Sequence, residues 1–309
     1  MSRTRSARFR SARWVAGALA AGLLALSGCS GDSGGGAAAQ ELETIEPGVL
    51  KVAIQPYAPY TSSKAGKLSG LDSDVLNAVA KKLDLTVQPE VTDFAGMLAG
   101  VQSRRVDITI GGVAWTKERQ QQGLFTDPPY YSPPAMAVKP GKKYQTVKDL
   151  EGHKLGTVEG YVWVKSIKAV PGAKLSAYPD GNGVFDDLRA GRLDVGFLDP
   201  LIIIAAQKER PELQIETQYL TPPTADEVKA KPDYDYFRPY MTSFYLPKQA
   251  KKLEQAISEE IRKMYDSGEL TKLIDKWGGD PEQFLKPAPE MAKSRQGVDR
   301  PADWTPPSI

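Results

Sequence analysis

Residues 106–131 read VDITIGGVAWTKERQQQGLFTDPPYY. Val106–Ile110 is a strand-length run dominated by β-branched residues, and Gly111-Gly112 ends it. Residues 116–122 then read as a helical turn, with Thr116 at its N-cap. That places Arg119 in the first turn, where a cation opposes the helix dipole and so does little for the helix itself. A strand running through a glycine turn into a short helix is the unit from which α/β folds are built.

The same alternation extends in both directions. Further strands are expected at Leu50–Ile54, Ala135–Val138, Lys154–Val158, Val195–Leu198 and Ser243–Leu246. Helical stretches fall near 72–84, 94–103, 161–169, 183–190 and 200–208. This spacing predicts βαβ units and mostly parallel sheets. Towards the C-terminus, Leu253, Ile257, Ile261 and Met264 form one apolar stripe, and Leu270, Leu273, Ile274 and Trp277 form another. Residues 222–239 (PPTADEVKAKPDYDYFRP) read as a polar, Pro-rich insertion. From Pro287 the chain carries five prolines and little periodicity, so the expectation for 287–309 is an extended or disordered tail.

The whole chain has 309 residues, which suggests roughly two domains. One Cys and one His exclude a disulfide framework and zinc clusters, and no metal or other cofactor is expected. Gly31-Asp32-Ser33-Gly34-Gly35 looks like a serine-protease nucleophile motif. It lies in a linker, however, and the sole possible base, His153, is far downstream, so it reads as a coincidence of composition. The net charge of +2 depends on five arginines within residues 1–28. Without that segment 35 basic residues face 38 acidic ones, a net of −3, and nothing suggests nucleic-acid binding.

Those first residues read as an address. An Arg-rich start precedes the apolar run Trp14–Leu26, which is too short for a permanent membrane span but fits an export signal. Leu26-Ser27-Gly28-Cys29 resembles the bacterial lipobox, and the chain's only Cys falls on the lipidated position. Residues 1–28 are therefore expected to be a lipoprotein signal peptide. Residues 29–47 would be a lipidated Cys followed by a flexible linker. This predicts an extracytoplasmic protein anchored to the bacterial cell membrane through lipid on Cys29.

Several local patterns occur in a characteristic order: Gly70-Leu71-Asp72-Ser73-Asp74, the stretch Val106–Gly112 with Trp115–Arg119, Phe125–Tyr131, and Gly191-Arg192-Leu193-Asp194. From about Gly48 to Trp277 the chain resembles the family 3 solute-binding proteins of ATP-binding-cassette importers, the polar amino-acid receptors. The resemblance implies a two-lobed α/β periplasmic-binding-protein fold of type II, its lobes joined by two crossing hinge segments. Lobe 1 would take 48–133 plus 240–286, and lobe 2 would take 134–239. It also implies a monomer that delivers a small amino-acid-like ligand from its cleft to the permease subunits of an importer.

By the same resemblance, Arg119 matches the residue that grips the ligand α-carboxylate, a task suited to a guanidinium fork. Asp199 matches the acceptor of the α-ammonium, although Asp199-Pro200 also reads as an ordinary helix N-cap. Tyr57 and Phe94 match two aromatics that sandwich the ligand side chain. Gly112 and Ala114 would offer backbone N–H groups, as would Tyr161 and Val162 in the Gly160-Tyr161-Val162 loop. The chain departs from the pattern at Ala114, where a hydroxyl is common, and at Tyr161, Val162 and Trp163, where smaller or more polar residues are usual. Beside Tyr57 stand Gln55 and Pro56 rather than the carboxylate typical of receptors for basic amino acids. Asp93 or Glu159 could replace it. Two alternatives remain open at this point: a cyclohexadienyl-dehydratase-like enzyme using Glu159 as its acid, and a ligand-sensing partner of a membrane receptor.

Overall fold

The computed structural model describes residues 42–309. The expected export signal, Cys29 and most of the expected linker lie outside the described residues.

Two five-stranded sheets organise the chain. In the first, the strands lie in the order Thr86–Val91, Val49–Ile54, Ile108–Thr109, Tyr245–Leu246, Leu124–Phe125. In the second the order is Lys174–Tyr178, Lys154–Val158, Val195–Leu198, Ala135–Val138, Glu216–Tyr219. Each sheet forms the heart of one lobe. Between them run Tyr130–Ser132 and Tyr240–Thr242, which pair antiparallel, with Tyr130 opposite Thr242 and Ser132 opposite Tyr240. All six residues are buried.

The expectation of mostly parallel sheets is only half met. In each sheet two pairings are parallel and two antiparallel. Ala135–Val138 and Tyr245–Leu246 follow the two crossing strands, so each enters its sheet from the cleft and runs against the others. The strands missed in the sequence have local reasons. Thr86–Val91 contains Pro89, and it lies at a sheet edge, where a residue without an N–H is tolerated. Lys174–Tyr178 and Glu216–Tyr219 are also edge strands, with no fully buried residue to mark them.

Helix boundaries follow local chemistry. Asp93 caps Phe94–Gln102, its carboxylate accepting from the Gly96 N–H at 2.6 Å, and Asp180 caps Gly181–Arg189 in the same way. In Lys251–Asp266 the stripe Leu253, Ile257, Ile261 and Met264 is completely buried. Each such side chain contributes roughly 1.5–3 kcal/mol by leaving water.

Residues 222–239 are built into the second lobe. Thr224 and Glu227 form a capping box on the helix Ala225–Ala230, and Pro232–Phe237 makes a 3₁₀ turn. Trp163 Nε1 donates to the Tyr236 carbonyl (3.0 Å), Ser166 Oγ donates to that of Asp233 (2.6 Å), and Phe237 packs on Phe197 with ring centres 5.2 Å apart.

The C-terminal segment differs from its expectation. It forms the helix Met291–Arg295 and packs on the first lobe. Arg295 is wholly buried between Trp115 and Trp304, 5.9 and 5.3 Å from their ring centres. Its guanidinium donates to the carbonyls of Thr126 (2.9 Å) and Phe125 (3.0 Å) and pairs with Asp299 at 2.6 Å. Arg300 reaches Asp127 (3.0 Å) and Glu254 (2.7 Å), and Tyr131 Oη donates to the Pro307 carbonyl (2.5 Å). A proline-rich stretch with no repeating apolar face is thus ordered by polar contacts, which leave no periodic trace in a sequence.

Candidate functional site

The loops that follow the C-terminal ends of the strands converge between the lobes, where open α/β sheets usually bind their ligands. From the first lobe come Gln55–Tyr57 after Val49–Ile54, Phe94 after Thr86–Val91, and Gly111–Arg119 after Ile108–Thr109. From the second come Gly160–Trp163 after Lys154–Val158, and Asp199 after Val195–Leu198. Of these residues Phe94, Gly112, Ala114, Arg119, Tyr161–Trp163 and Asp199, together with Tyr240 of the return crossing strand, line a small cavity of about 10 Å³.

Arg119 stands on its wall. Thr116 caps the turn by accepting from the Arg119 N–H (3.0 Å), as the sequence suggested. The guanidinium donates through Nη1 to the Ala114 carbonyl (2.9 Å) and through Nη2 across the cleft to that of Gly160 (2.8 Å). It lies 5.2 Å from the Phe94 ring centre. Burial pushes its pKa down, with nearby Tyr236, Tyr245 and Tyr161 opposing. Its neighbour Glu118 pairs instead with Lys165 of the second lobe (3.3 Å), and no carboxylate among the described residues forms an ion pair with Arg119. Both of its contacts are neutral carbonyls, so the cation retains donors for an anion.

Asp199 is the opposing charge and is only 3% exposed. It is the N-cap residue of the helix Pro200–Glu209, with Pro200 opening the first turn as expected, but its side chain makes no capping bond and the carboxylate turns into the cleft. It accepts from Tyr57 Oη (2.8 Å), Ser132 Oγ (3.2 Å) and Tyr240 Oη. Burial raises its pKa, and these three donors lower it. Ser132 and Tyr240 escaped the sequence reading because Ser132 lies just past the Phe125–Tyr131 motif and Tyr240 sits on a crossing strand that carries no motif of its own.

Two glycines are required where they stand. Gly112 has φ +70°, and a Cβ there would lie 3.1 Å from an Asp199 oxygen. Gly160 has φ +80°, and a Cβ there would lie 3.3 Å from Phe94. Gly112 lines the cleft as expected, yet its N–H is already committed to Asp72 Oδ2 (3.0 Å). Ala114 contributes its carbonyl to Arg119. The Tyr161 N–H turns back to the Val158 carbonyl (3.2 Å), and Val162 lines the space. Asp93 is spent on its cap, and Glu159 is exposed and outside the lining. A larger groove of about 370 Å³ lies beyond Tyr57, but its Arg210 is already engaged by Asn182 (3.1 Å) and Glu212 (3.6 Å).

Asp72 is a supporting residue that the sequence reading took only as part of a helix start. It is completely buried and accepts from the N–H groups of Gly111 (2.7 Å) and Gly112 (3.0 Å) and from Tyr130 Oη (2.7 Å). It thereby fixes the glycine turn against the first crossing strand. Burial pushes its carboxyl from 3.8 up to about 6, with those donors opposing. The folded state therefore holds this proton more tightly than the unfolded chain. The resulting contribution to stability is complete below about pH 4 and disappears as pH rises through 6. It amounts to about 3 kcal/mol, at 1.36 kcal/mol per unit. Between pH 4 and 6.5 the wild-type melting temperature should fall relative to that of Asp72→Asn, which cannot titrate; parallel profiles would refute this.

A half-buried cation and a buried anion facing one small space between two α/β lobes fit a protein that encloses a compact solute. Residues 50–280 match the bacterial extracellular solute-binding proteins, family 3, and the chain belongs to that family. It is 27% identical over 239 residues to the L-cystine-binding protein TcyJ of Escherichia coli, covering 76% of this chain and 84% of that one. It is 30% identical over 169 residues to ABC transporter arginine-binding protein 1 of Escherichia coli, covering 54% and 69%. Across such relatives the aligned stretch takes in between 65% and 86% of their length. An ancestral arginine-binding protein bound to arginine superposes with a TM-score of 0.65 at 27% identity, covering 75% of this chain and 99% of that one. The fold is thus the two-lobed type II arrangement expected from the sequence.

Proposed function

We propose that this protein captures an amino acid or a close amino derivative in its inter-lobe cleft and hands it to the permease of an ATP-binding-cassette importer, acting as a monomer without catalysis. One observation carries this reading: Arg119 has donors to spare and Asp199 is buried, and they line one space from opposite lobes. A zwitterion supplies the complement of each charge. Only the closed arrangement brings both to bear, so the ligand shifts the open–closed equilibrium towards closure. The names of the relatives support an amino-acid ligand and an importer as partner. The dehydratase-like alternative gains nothing from the geometry, since Glu159 lies outside the space. The lipobox-like Leu26–Cys29 supports anchoring through lipid on Cys29, outside the cytoplasm.

One pair of preparations tests both parts. The wild-type chain should fractionate with membranes and the Cys29→Ser chain should be soluble; membrane retention of the variant would refute the anchor. The soluble variant is then screened by thermal shift against the common amino acids and small amino derivatives. A ligand at 100 times its Kd stabilises by about 2.7 kcal/mol, a rise of several degrees. Silence across the whole panel would refute the receptor reading.

A further inference from the structure

The resemblance assigns the slot between Tyr57 and Phe94 to the ligand side chain, but in this protein a phenol ring occupies it. The Tyr161 ring centre lies 6.0 Å from that of Tyr57, at 88°, and 4.8 Å from that of Phe94, at 66°. Such edge-on contacts are favourable for aromatic pairs. The hydroxyl is pinned as well, because Gln55 Nε2 donates to Tyr161 Oη at 2.8 Å from the opposite lobe. Tyr161 is only 8% exposed, so the ring is embedded and does not hang at the rim. Arg119 takes up another part of Phe94, 5.2 Å from its centre. Both aromatics that would hold a ligand side chain are therefore already in contact with protein groups.

The charges point the same way. Asp199 and Arg119 are the charged residues lining the space, and a zwitterion's own ammonium and carboxylate use both. Asp93 is held by its cap, and Glu159 is exposed, so neither supplies a second anion for a cationic side chain. The cavity that remains, about 10 Å³, is far smaller than the roughly 300–1,000 Å³ of pockets for drug-sized ligands, so the cleft is closed down on its own side chains.

We infer that Tyr161 is a specificity-determining plug that restricts the cleft to α-amino acids with short, uncharged side chains and excludes the long or cationic side chains of arginine, histidine and glutamine. The inference rests on the receptor reading above and sharpens it.

Isothermal titration of the full chain carrying Cys29→Ser, with and without Tyr161→Thr or Tyr161→Phe, tests it. The probes are glycine, alanine, serine, arginine, histidine and glutamine. The chain with Tyr161 should bind at least one short amino acid ten-fold or more tighter than arginine. Tyr161→Thr should tighten arginine or glutamine binding at least ten-fold, while Tyr161→Phe, which keeps the ring, should retain the discrimination. If arginine or histidine binds the unplugged and plugged chains equally well, and as tightly as the short amino acids, Tyr161 swings aside and the inference is overturned while the receptor reading stands. If no form binds any of the six, the inference is overturned, and the receptor reading is decided separately by the wider thermal-shift panel.

Discussion

Replacing Arg119 with Ala should weaken ligand binding by two to four orders of magnitude while leaving the fold intact. Charge-assisted hydrogen bonds contribute roughly 1.5–3 kcal/mol each, and a carboxylate gripped by the guanidinium fork would lose two of them. That sum corresponds to a loss of about 10²- to 10⁴-fold in affinity. The same substitution removes the bond from Nη2 to the Gly160 carbonyl (2.8 Å), one of the direct contacts between the lobes, so the free protein should also shift towards the open state. Arg119→Lys keeps the charge without the planar fork and should fall between the two. The measurement is calorimetric titration with whichever amino compound the thermal-shift screen identifies, alongside circular dichroism to establish folding. Affinity within three-fold of wild type would remove Arg119 from the site.

The second large effect concerns stability. Arg295→Leu should destabilise the protein by about 3–5 kcal/mol, because removing one partner leaves a buried charge and buried carbonyls uncompensated. Asp299 would lose its bidentate partner, and the carbonyls of Phe125 and Thr126 would lose the donors that now satisfy them. For a domain of this size the melting temperature should drop by roughly 6–20 °C. Truncation after Lys286 should do at least as much, since it also frees Asp127 and Glu254 from Arg300. Urea denaturation of wild type and variant gives the difference directly; a change below 1 kcal/mol would show that the segment is dispensable. The functional consequence is local. Arg295 stacks on Trp115, which stands between Ala114 and Thr116, the residues that orient the Arg119 guanidinium and cap its turn. A residue outside the matched family region thus braces the residues around the Arg proposed to hold the ligand.

The two results bear differently on Tyr161. Loss of Arg119 should remove the charge proposed to grip the invariant carboxylate of an amino acid, whatever its side chain. Loss of the Tyr161 ring changes only which side chain fits. A variant series that separates these effects would identify the carboxylate site and the side-chain plug independently.

Much of this was readable in the chain before folding. Thr116 caps the turn it precedes. The stripe Leu253, Ile257, Ile261 and Met264 is buried, and the alternation of strands and helices yields two α/β lobes. These features depend on residues within a few positions of each other, where periodicity and capping act. Arg119 and Asp199 were legible through the ordered motifs around them. The structure adds that they line a common space and that Asp199 is not spent on a helix cap.

What remained hidden depends on contacts between residues far apart in the chain. Asp72 takes the Gly112 N–H from 40 positions away, Tyr161 meets Gln55 across 106, and Arg295 reaches the Thr126 carbonyl across 169. The proline-rich tail carries no local signal of order, because its order comes from an arginine buried against carbonyls of a distant segment. By itself the sequence determined the elements, their caps and apolar faces, and the identity of the charges available to a ligand. Only the tertiary structure decided which donors and aromatic faces are already taken by the protein, because a hydrogen bond or a ring face is consumed by whatever the fold brings against it.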